Sequence, residues 1–315
     1  MVIPGTKTVG ILGSTGFLGK HVFACFTENS WTVVGGSRRT NVDATNLQSV
    51  INWITNNDIK YLINLAAYCG GIGLNQAKPA SLWLETTRIM TTIFEAARLT
   101  NLTKLVQIGT VCSYAKDCHV PFKEDYLMHF GEPEPTNRAY GMAKLNGLYG
   151  CQAYRHEYGI NIIYLIPVNL YGEYDNFDLK TSHVIPAMIK KCIEAKMKSN
   201  SEVILWGDGT PTREFLHAKD CARAILLATM QYDGAEPVNI GTGVELTMAE
   251  LAQMIKEETG YRGNIVWDPS KPNGQPRRCL DISRAKDYFG FEAAINLRDG
   301  IRGTVAWYLS TYYGL

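Results

Sequence analysis

Thr8-Val9-Gly10-Ile11-Leu12-Gly13-Ser14-Thr15-Gly16-Phe17-Leu18-Gly19 runs an apolar segment into three glycines spaced Gly-x-x-Gly-x-x-Gly, and an apolar-periodic stretch over residues 21–26 follows. The pattern predicts a strand, a glycine turn and a helix. Each glycine has its own task. Gly13 permits the tight turn, Gly16 lets a pyrophosphate approach the backbone at the helix N-terminus, and Gly19 lets that helix pack close to the strand. With Thr15, Phe17 and Leu18 between them, they form the expected phosphate-facing segment of a dinucleotide site.

A second strand is predicted at Trp31-Thr32-Val33-Val34-Gly35, and at its end an NAD-selective site would place an acidic residue for the ribose 2′-hydroxyl. Here the chain has Ser37-Arg38-Arg39. Two guanidinium groups suit a 2′-phosphate, so Arg38 and Arg39 point to NADP(H). Asp43 is expected to cap the next helix or to contact adenine.

Further along, predicted strands over residues 60–65, 104–109 and 160–166 alternate with predicted helices over 81–100 and 138–158. Such alternation predicts an α/β fold with a Rossmann-type doubly wound parallel sheet. A large domain is expected over residues 1–168 plus 213–241, and a smaller C-terminal α/β substrate domain over 169–212 plus 242–315. The long helices offer surfaces for a homodimer. Ala66-Ala67 and Gly109-Thr110-Val111-Cys112 fall at strand carboxyl ends, which face the ligand in this topology. If the second segment stays extended, Thr110 and Cys112 point to a common side.

Tyr140-Gly-Met-Ala-Lys144 puts a phenol and an ammonium one helical turn apart, so Lys144 is expected near Tyr140, where it would favour the ionised phenol. Tyrosine's ordinary pKa of about 10 makes it a poor acid near neutrality, and a neighbouring cation plus a cofactor ribose are the usual means of lowering it. The pair suits proton exchange with a carbonyl oxygen, to which Thr110 could hydrogen-bond.

A net charge of +1 over 315 residues argues against nucleic acid as a partner, because a phosphate-tracking surface needs a strong basic excess. No apolar run reaches the roughly 18 residues that span a bilayer, so no membrane association is expected. The eight cysteines, Cys25, Cys69, Cys112, Cys118, Cys151, Cys192, Cys221 and Cys279, include no Cys-x-x-Cys pair and follow no secretory signal pattern. Reduced thiols in the cytoplasm are expected, and no metal site.

The glycine turn together with Tyr140 and Lys144 resembles the extended short-chain dehydrogenase/reductase superfamily. Within it, the chain is most similar to the GDP-L-fucose synthase family, whose members are 3,5-epimerase-4-reductases acting on GDP-4-keto-6-deoxy-D-mannose. The resemblance extends over Ala66 to Ile72, Asn169-Leu170-Tyr171-Gly172, Asp175-Asn176-Phe177, Ser182-His183-Val184-Ile185-Pro186, Leu205 to Phe215 and Trp267-Asp268-Pro269-Ser270-Lys271-Pro272.

The resemblance implies an NADPH-dependent enzyme in which Cys112 is the epimerase cysteine and His183 the histidine working opposite it. Protons at C3 and C5 of a 4-keto sugar are both α to the carbonyl, so a base can remove either as an enolate whose charge collects on O4. Tyr140 and Thr110 would stabilise that oxyanion. A base on one face and an acid on the other inverts the centre. Cys112 as thiolate would abstract, His183 as imidazolium would reprotonate, and the same imidazolium is the expected cationic help to the thiol. The resemblance further implies a GDP-4-keto-sugar held by Asn169, Arg213 and Lys271 near the diphosphate and nucleotide, with Val184 and its helix flanking the base and Trp206 among the substrate-side residues. Lys190 and Lys191 read as a solvated helix face, with Lys191 retained as a substrate-side candidate, and Arg213 has an interdomain ion pair as its alternative.

Tyr68-Cys69 stands where the family has lysine-valine, and Thr110-Val111-Cys112 where it has serines before the cysteine. Those residues lie near the pyranose. The alternative expectation is therefore a C4-reductase of a GDP-4-keto hexose or heptose that performs no epimerisation.

Overall fold

The computed structural model of the protein describes residues 7–66, 68–128 and 131–315. Its strands are β1 Thr8–Leu12, β2 Thr32–Gly36, β3 Tyr61–Asn64, β4 Lys104–Ile108, β5 Ile162–Pro167, β6 Asn169–Tyr171, β7 Glu202–Trp206, β8 Thr212–His217, β9 Val238–Ile240, β10 Glu245–Thr247 and β11 Asn264–Asp268. Its helices are α1 Phe17–Glu28, α2 Leu47–Asn56, α3 Ile72–Ala77, α4 Pro79–Thr100, α5 Arg138–Tyr158, α6 Val184–Met197, α7 Ala218–Gln231, α8 Met248–Thr259, α9 Ser283–Phe289 and α10 Leu297–Tyr313.

β1, β4, β5 and β9 are buried at every position, as strands covered on both faces are. They belong to a six-stranded sheet of order β2-β1-β3-β4-β5-β9, in which every neighbouring pair is parallel. The doubly wound expectation is met. Strand order reverses at β1, which lies between β2 and β3, and a ligand crevice forms outside the carboxyl ends at such a point.

Gly13 turns the chain out of β1 at φ +90°, and a Cβ there would press on the backbone of Leu65 and Ala66 beyond β3. Gly19 lets α1 lie against this turn, since a Cβ on it would strike the Gly13 carbonyl and come within 2.8 Å of Ser14 Cα. Both expected roles follow from sterics alone. The cap of α2 differs from expectation: Asn46 Oδ1 accepts from Ser49 N at 2.9 Å, whereas Asp43 Oδ1 accepts from Thr45 N at 2.9 Å one turn earlier. Asp43 shapes the loop and Asn46 caps the helix.

A second hydrophobic cluster, built from residues such as Ile185, Ile189, Leu205, Phe215, Leu251 and Ile301, is separate from the one around the large sheet. Its sheets are small. β8 lies between β10, antiparallel, and β6, parallel, while β7 pairs in parallel with β11. Among the described residues, no helix is long and apolar enough to cross a membrane.

Candidate active site

A cavity of about 1300 Å³ opens where the sheet's carboxyl ends meet the second cluster. Sites for single small ligands span roughly 300–1,000 Å³, so this one has room for two. Gly13, Thr15, Gly16, Phe17, Leu18 and Gly19 line one end, with Arg38, Arg39 and Ala66. Ala67, expected beside Ala66, lies outside the described residues.

The glycine end fits a dinucleotide's phosphates. Gly16 is the N-cap of α1 and supplies no side chain to it, and the first turn contains no acidic residue. The first N–H groups of the helix therefore face the cavity without intrahelical partners and favour an anion. Arg38 and Arg39 sit on a 3₁₀ turn, Arg38–Thr40, held by reciprocal hydrogen bonds between Ser37 and Thr40. Both are exposed to solvent, and neither forms an ion pair among the described residues. Two uncommitted guanidinium groups at the end of β2 suit a 2′-phosphate.

Thr110, Cys112, Tyr140, Lys144 and His183 all border the same cavity. Residues 110–112 do not stay extended, so the condition under which Thr110 and Cys112 would share a side is not met. Thr110 caps a 3₁₀ turn over Val111–Ser113, its Oγ1 accepting from Cys112 N at 3.2 Å. A side-chain-to-backbone bond of this kind offers the chain an alternative to the strand, and here it wins. The Thr110 hydroxyl keeps its own proton for donation into the cleft.

Helix α5 approaches that turn closely because residue 141 is glycine: a Cβ on Gly141 would run into the Cys112 carbonyl. Ser113 Oγ also donates to Gly141 O at 3.0 Å. These contacts hold the tyrosine next to the cysteine turn. Lys144, almost fully buried, donates from Nζ to Ile108 O at 2.8 Å, and its ammonium is 5.9 Å from the Tyr140 ring centroid. Burial pulls the ammonium down to about 8. Burial also raises the Tyr140 phenol well above its ordinary value, with Cys69 and Cys112 adding to the effect. Burial thus outweighs the lowering of the phenol expected from Lys144.

His183 is the N-cap residue of α6, and its Nδ1 is 3.8 Å from Oδ1 of the buried Asp175. Burial disfavours the charged ring, but the neighbouring Asp175 carboxylate outweighs it and raises His183 above its ordinary value. The imidazole is thereby poised to donate a proton. Arg278, a cation that sequence reasoning did not bring here, places its Nη1 3.8 Å from the Cys112 sulfur.

On the substrate side, Asn169, Val184, Lys191, Trp206 and Arg213 line the cavity. Lys271 does not, and stands instead at the rim with its ammonium 5.9 Å from the exposed Trp206 ring. Lys191 donates to Ile204 O at 2.8 Å, and Lys190 faces Glu194 one turn along α6. Arg213 makes no interdomain ion pair among the described residues; its Nη1 donates to Thr212 O at 2.8 Å and its Nη2 to Asn273 O at 3.1 Å. Burial and the charge of Arg278 both act against its protonation, so it gains from any anion entering the cleft.

Sequence reasoning gave no role to Asp175, although it lies in a matched motif, and did not single out Arg278. Neither stands at a helical or strand spacing from the group it serves.

Residues 9–241 match the family described as NAD dependent epimerase/dehydratase. Over 302 residues the chain is 37% identical to a probable GDP-L-fucose synthase of Oryza sativa subsp. japonica, covering 96% of this chain and 92% of that one. It superimposes on a GDP-6-OMe-4-keto-L-xylo-heptose reductase from C. jejuni with a TM-score of 0.91 at 27% identity, over 97% of this chain and 98% of that one. A GDP-mannoheptose C4 reductase from Campylobacter jejuni with NADP bound gives a TM-score of 0.87 at 26% identity, over 98% and 99%. The chain belongs to the NAD dependent epimerase/dehydratase family, within the extended short-chain dehydrogenase/reductases and alongside the GDP-L-fucose synthases.

Proposed function

We propose that the protein is an NADP(H)-dependent nucleotide-sugar epimerase/reductase that inverts C3 and C5 of a GDP-4-keto-6-deoxy sugar and reduces C4, giving GDP-L-fucose or a close relative. One observation carries the reading: a single cavity holds a tyrosine-lysine pair, a thiol and an Asp-supported imidazole beside a glycine cradle. In this reading the glycine turn holds the cofactor pyrophosphate, and Arg38 and Arg39 hold its 2′-phosphate. NADPH, when bound, supplies the hydride for C4.

Cys112 takes the proton from C3 or C5, and the electron pair moves onto O4, where Thr110 and Tyr140 donate hydrogen bonds. His183 returns a proton to the opposite face, which inverts the centre. After two inversions Tyr140 gives its proton to O4, with Lys144 supplying positive charge behind it. Arg213 faces the substrate diphosphate, for which its planar fork is suited. Val184, Lys191 and Trp206 border the nucleotide, and Asn169 acts near the diphosphate. Lys271 adds positive charge at the rim.

Incubation with NADPH and GDP-4-keto-6-deoxymannose in deuterium oxide is expected to give a C4-reduced product labelled at C3 and C5, read by NMR and mass spectrometry. Reduction without label would reject the epimerase half. A second reading, C4 reduction of a hexose or heptose without inversion, draws support from Tyr68 and Cys69 on the sugar-facing wall and from the likeness to two heptose reductases. A homodimer through α4 and α5 belongs to the same proposal, since these helices expose Trp83, Leu84, Leu99, Tyr149 and Tyr158. Light scattering that returned the mass of one chain would refute the dimer.

A further inference from the structure

Arg278 is the most unusual charge in the cleft. Its neighbour Arg277 points outward and pairs with Glu245, while Arg278 turns inward and is only 7% exposed. The alternation is imposed by the backbone, because residues 276–278 run along the edge of β8: Thr212 N donates to Pro276 O at 3.0 Å and Glu214 N to Arg278 O at 3.1 Å. Successive side chains of an extended segment take opposite faces, so one arginine must enter the protein.

A buried guanidinium without a counter-charge is strongly disfavoured. Among the described residues Arg278 forms no ion pair with a carboxylate, its Nε has no hydrogen-bond partner, and a second cation, Arg213, is close enough to feel its charge. Its Nη1 has two neighbours. One is Asn169 Oδ1 at 3.3 Å, and the other is Cys112 Sγ at 3.8 Å. Asn169 is itself fixed, since its Nδ2 donates to Glu214 O at 2.9 Å. Only the sulfur can carry negative charge.

We propose that Arg278 is the positioning residue for the epimerase base: clamped by Asn169, it holds the Cys112 sulfur in place and is the counter-charge of the thiolate that takes the sugar's α-proton. This inference rests on the proposed epimerisation. It gives Asn169 a defined task and explains why a buried arginine faces a cysteine. When the proton moves from carbon to sulfur, the negative charge leaves Arg278 and collects on O4, so the arginine stabilises the state before transfer and orients the sulfur for it.

The test uses Arg278→Met and Arg278→Lys in the full-length enzyme, with urea unfolding to verify that each variant is folded. Deuterium uptake at C3 and C5 is expected to fall about 100-fold in Arg278→Met, the scale of a general base's contribution, and to fall at least about tenfold more than C4 reduction does. Arg278→Lys, which keeps the charge and loses the fork, recovers uptake to within about tenfold of wild type. Alkylation of Cys112 by iodoacetamide, located by peptide mass spectrometry, is expected to slow at least about tenfold in Arg278→Met and to recover in Arg278→Lys.

Unchanged Cys112 alkylation in Arg278→Met overturns the proposal. So does a rise in KM for the nucleotide sugar with label per turnover unchanged, which would make Arg278 a substrate-binding group. If the wild-type enzyme takes up no label, the epimerisation reading fails, and the alkylation rates alone then decide whether Arg278 pairs with Cys112.

Discussion

Tyr140→Phe is expected to lower NADPH oxidation with the 4-keto nucleotide sugar by about 10²–10⁴-fold, the range for loss of a positioned general acid. The hydroxyl has no protein hydrogen-bond partner among the described residues, so its removal strands no buried group, and stability should change by no more than about 0.5 kcal/mol. Loss of activity is then separable from loss of fold. Deuterium exchange should fall as well, but less, because Thr110 still donates to the enolate oxygen. The Lys144 ammonium adds a pH signature. It is held down to about 8 by burial, so the positive charge that the proposed reaction places behind the phenol disappears as pH rises through that value. In the wild type, kcat/KM for reduction should be level below about pH 8 and fall about tenfold per unit above it. The stability contribution has the opposite trend. The unfolded lysine, near 10.4, binds the proton more tightly than the folded one, so between about 8 and 10.4 this group makes the fold more stable as pH increases. Full activity in Tyr140→Phe, or a level profile to pH 10, would remove the phenol and ammonium from the chemistry.

What could be read before the structure followed from local physics. Residues 138–158 were expected as a helix and form α5 with those bounds, closed by Gly159 in the left-handed region at φ 67°. The strand, turn and helix around Gly13 were equally legible because sterics leave few other residues possible there. Side chains that bond to nearby backbone were less legible: Thr110 bends residues 111–113 into a turn, and Asn46 takes the cap that was one of the two roles expected of Asp43, which lines the cavity. Long-range partners were beyond reach for a different reason. Lys144 meets Ile108 O across 36 residues, and Arg278 meets Cys112 across 166. No periodicity encodes such pairs, since they arise only once the sheet order and the edge of β8 have brought distant segments together.

Cys112→Ser should separate the two halves of the proposed reaction. Serine is nearly isosteric and can still accept from Arg278, but its hydroxyl is a far weaker acid than a thiol and supplies almost no base near neutrality. Deuterium uptake at C3 and C5 is therefore expected to drop by about 10²–10⁴-fold. Hydride transfer needs no α-proton removal, so NADPH oxidation should persist at a reduced rate and give a C4-reduced sugar that keeps its starting configuration at C3 and C5. His183→Asn provides the complementary result. Cys112 can still withdraw a proton and return deuterium to the same face, so label enters while inversion fails. In the proposed mechanism the imidazole, raised by Asp175 above its ordinary value, delivers a proton to the other face. Equal loss of label in both variants would mean that both groups act on one face. Unchanged label in Cys112→Ser would show that the base lies elsewhere, and Cys69, on the same cavity wall, would be the next thiol to replace.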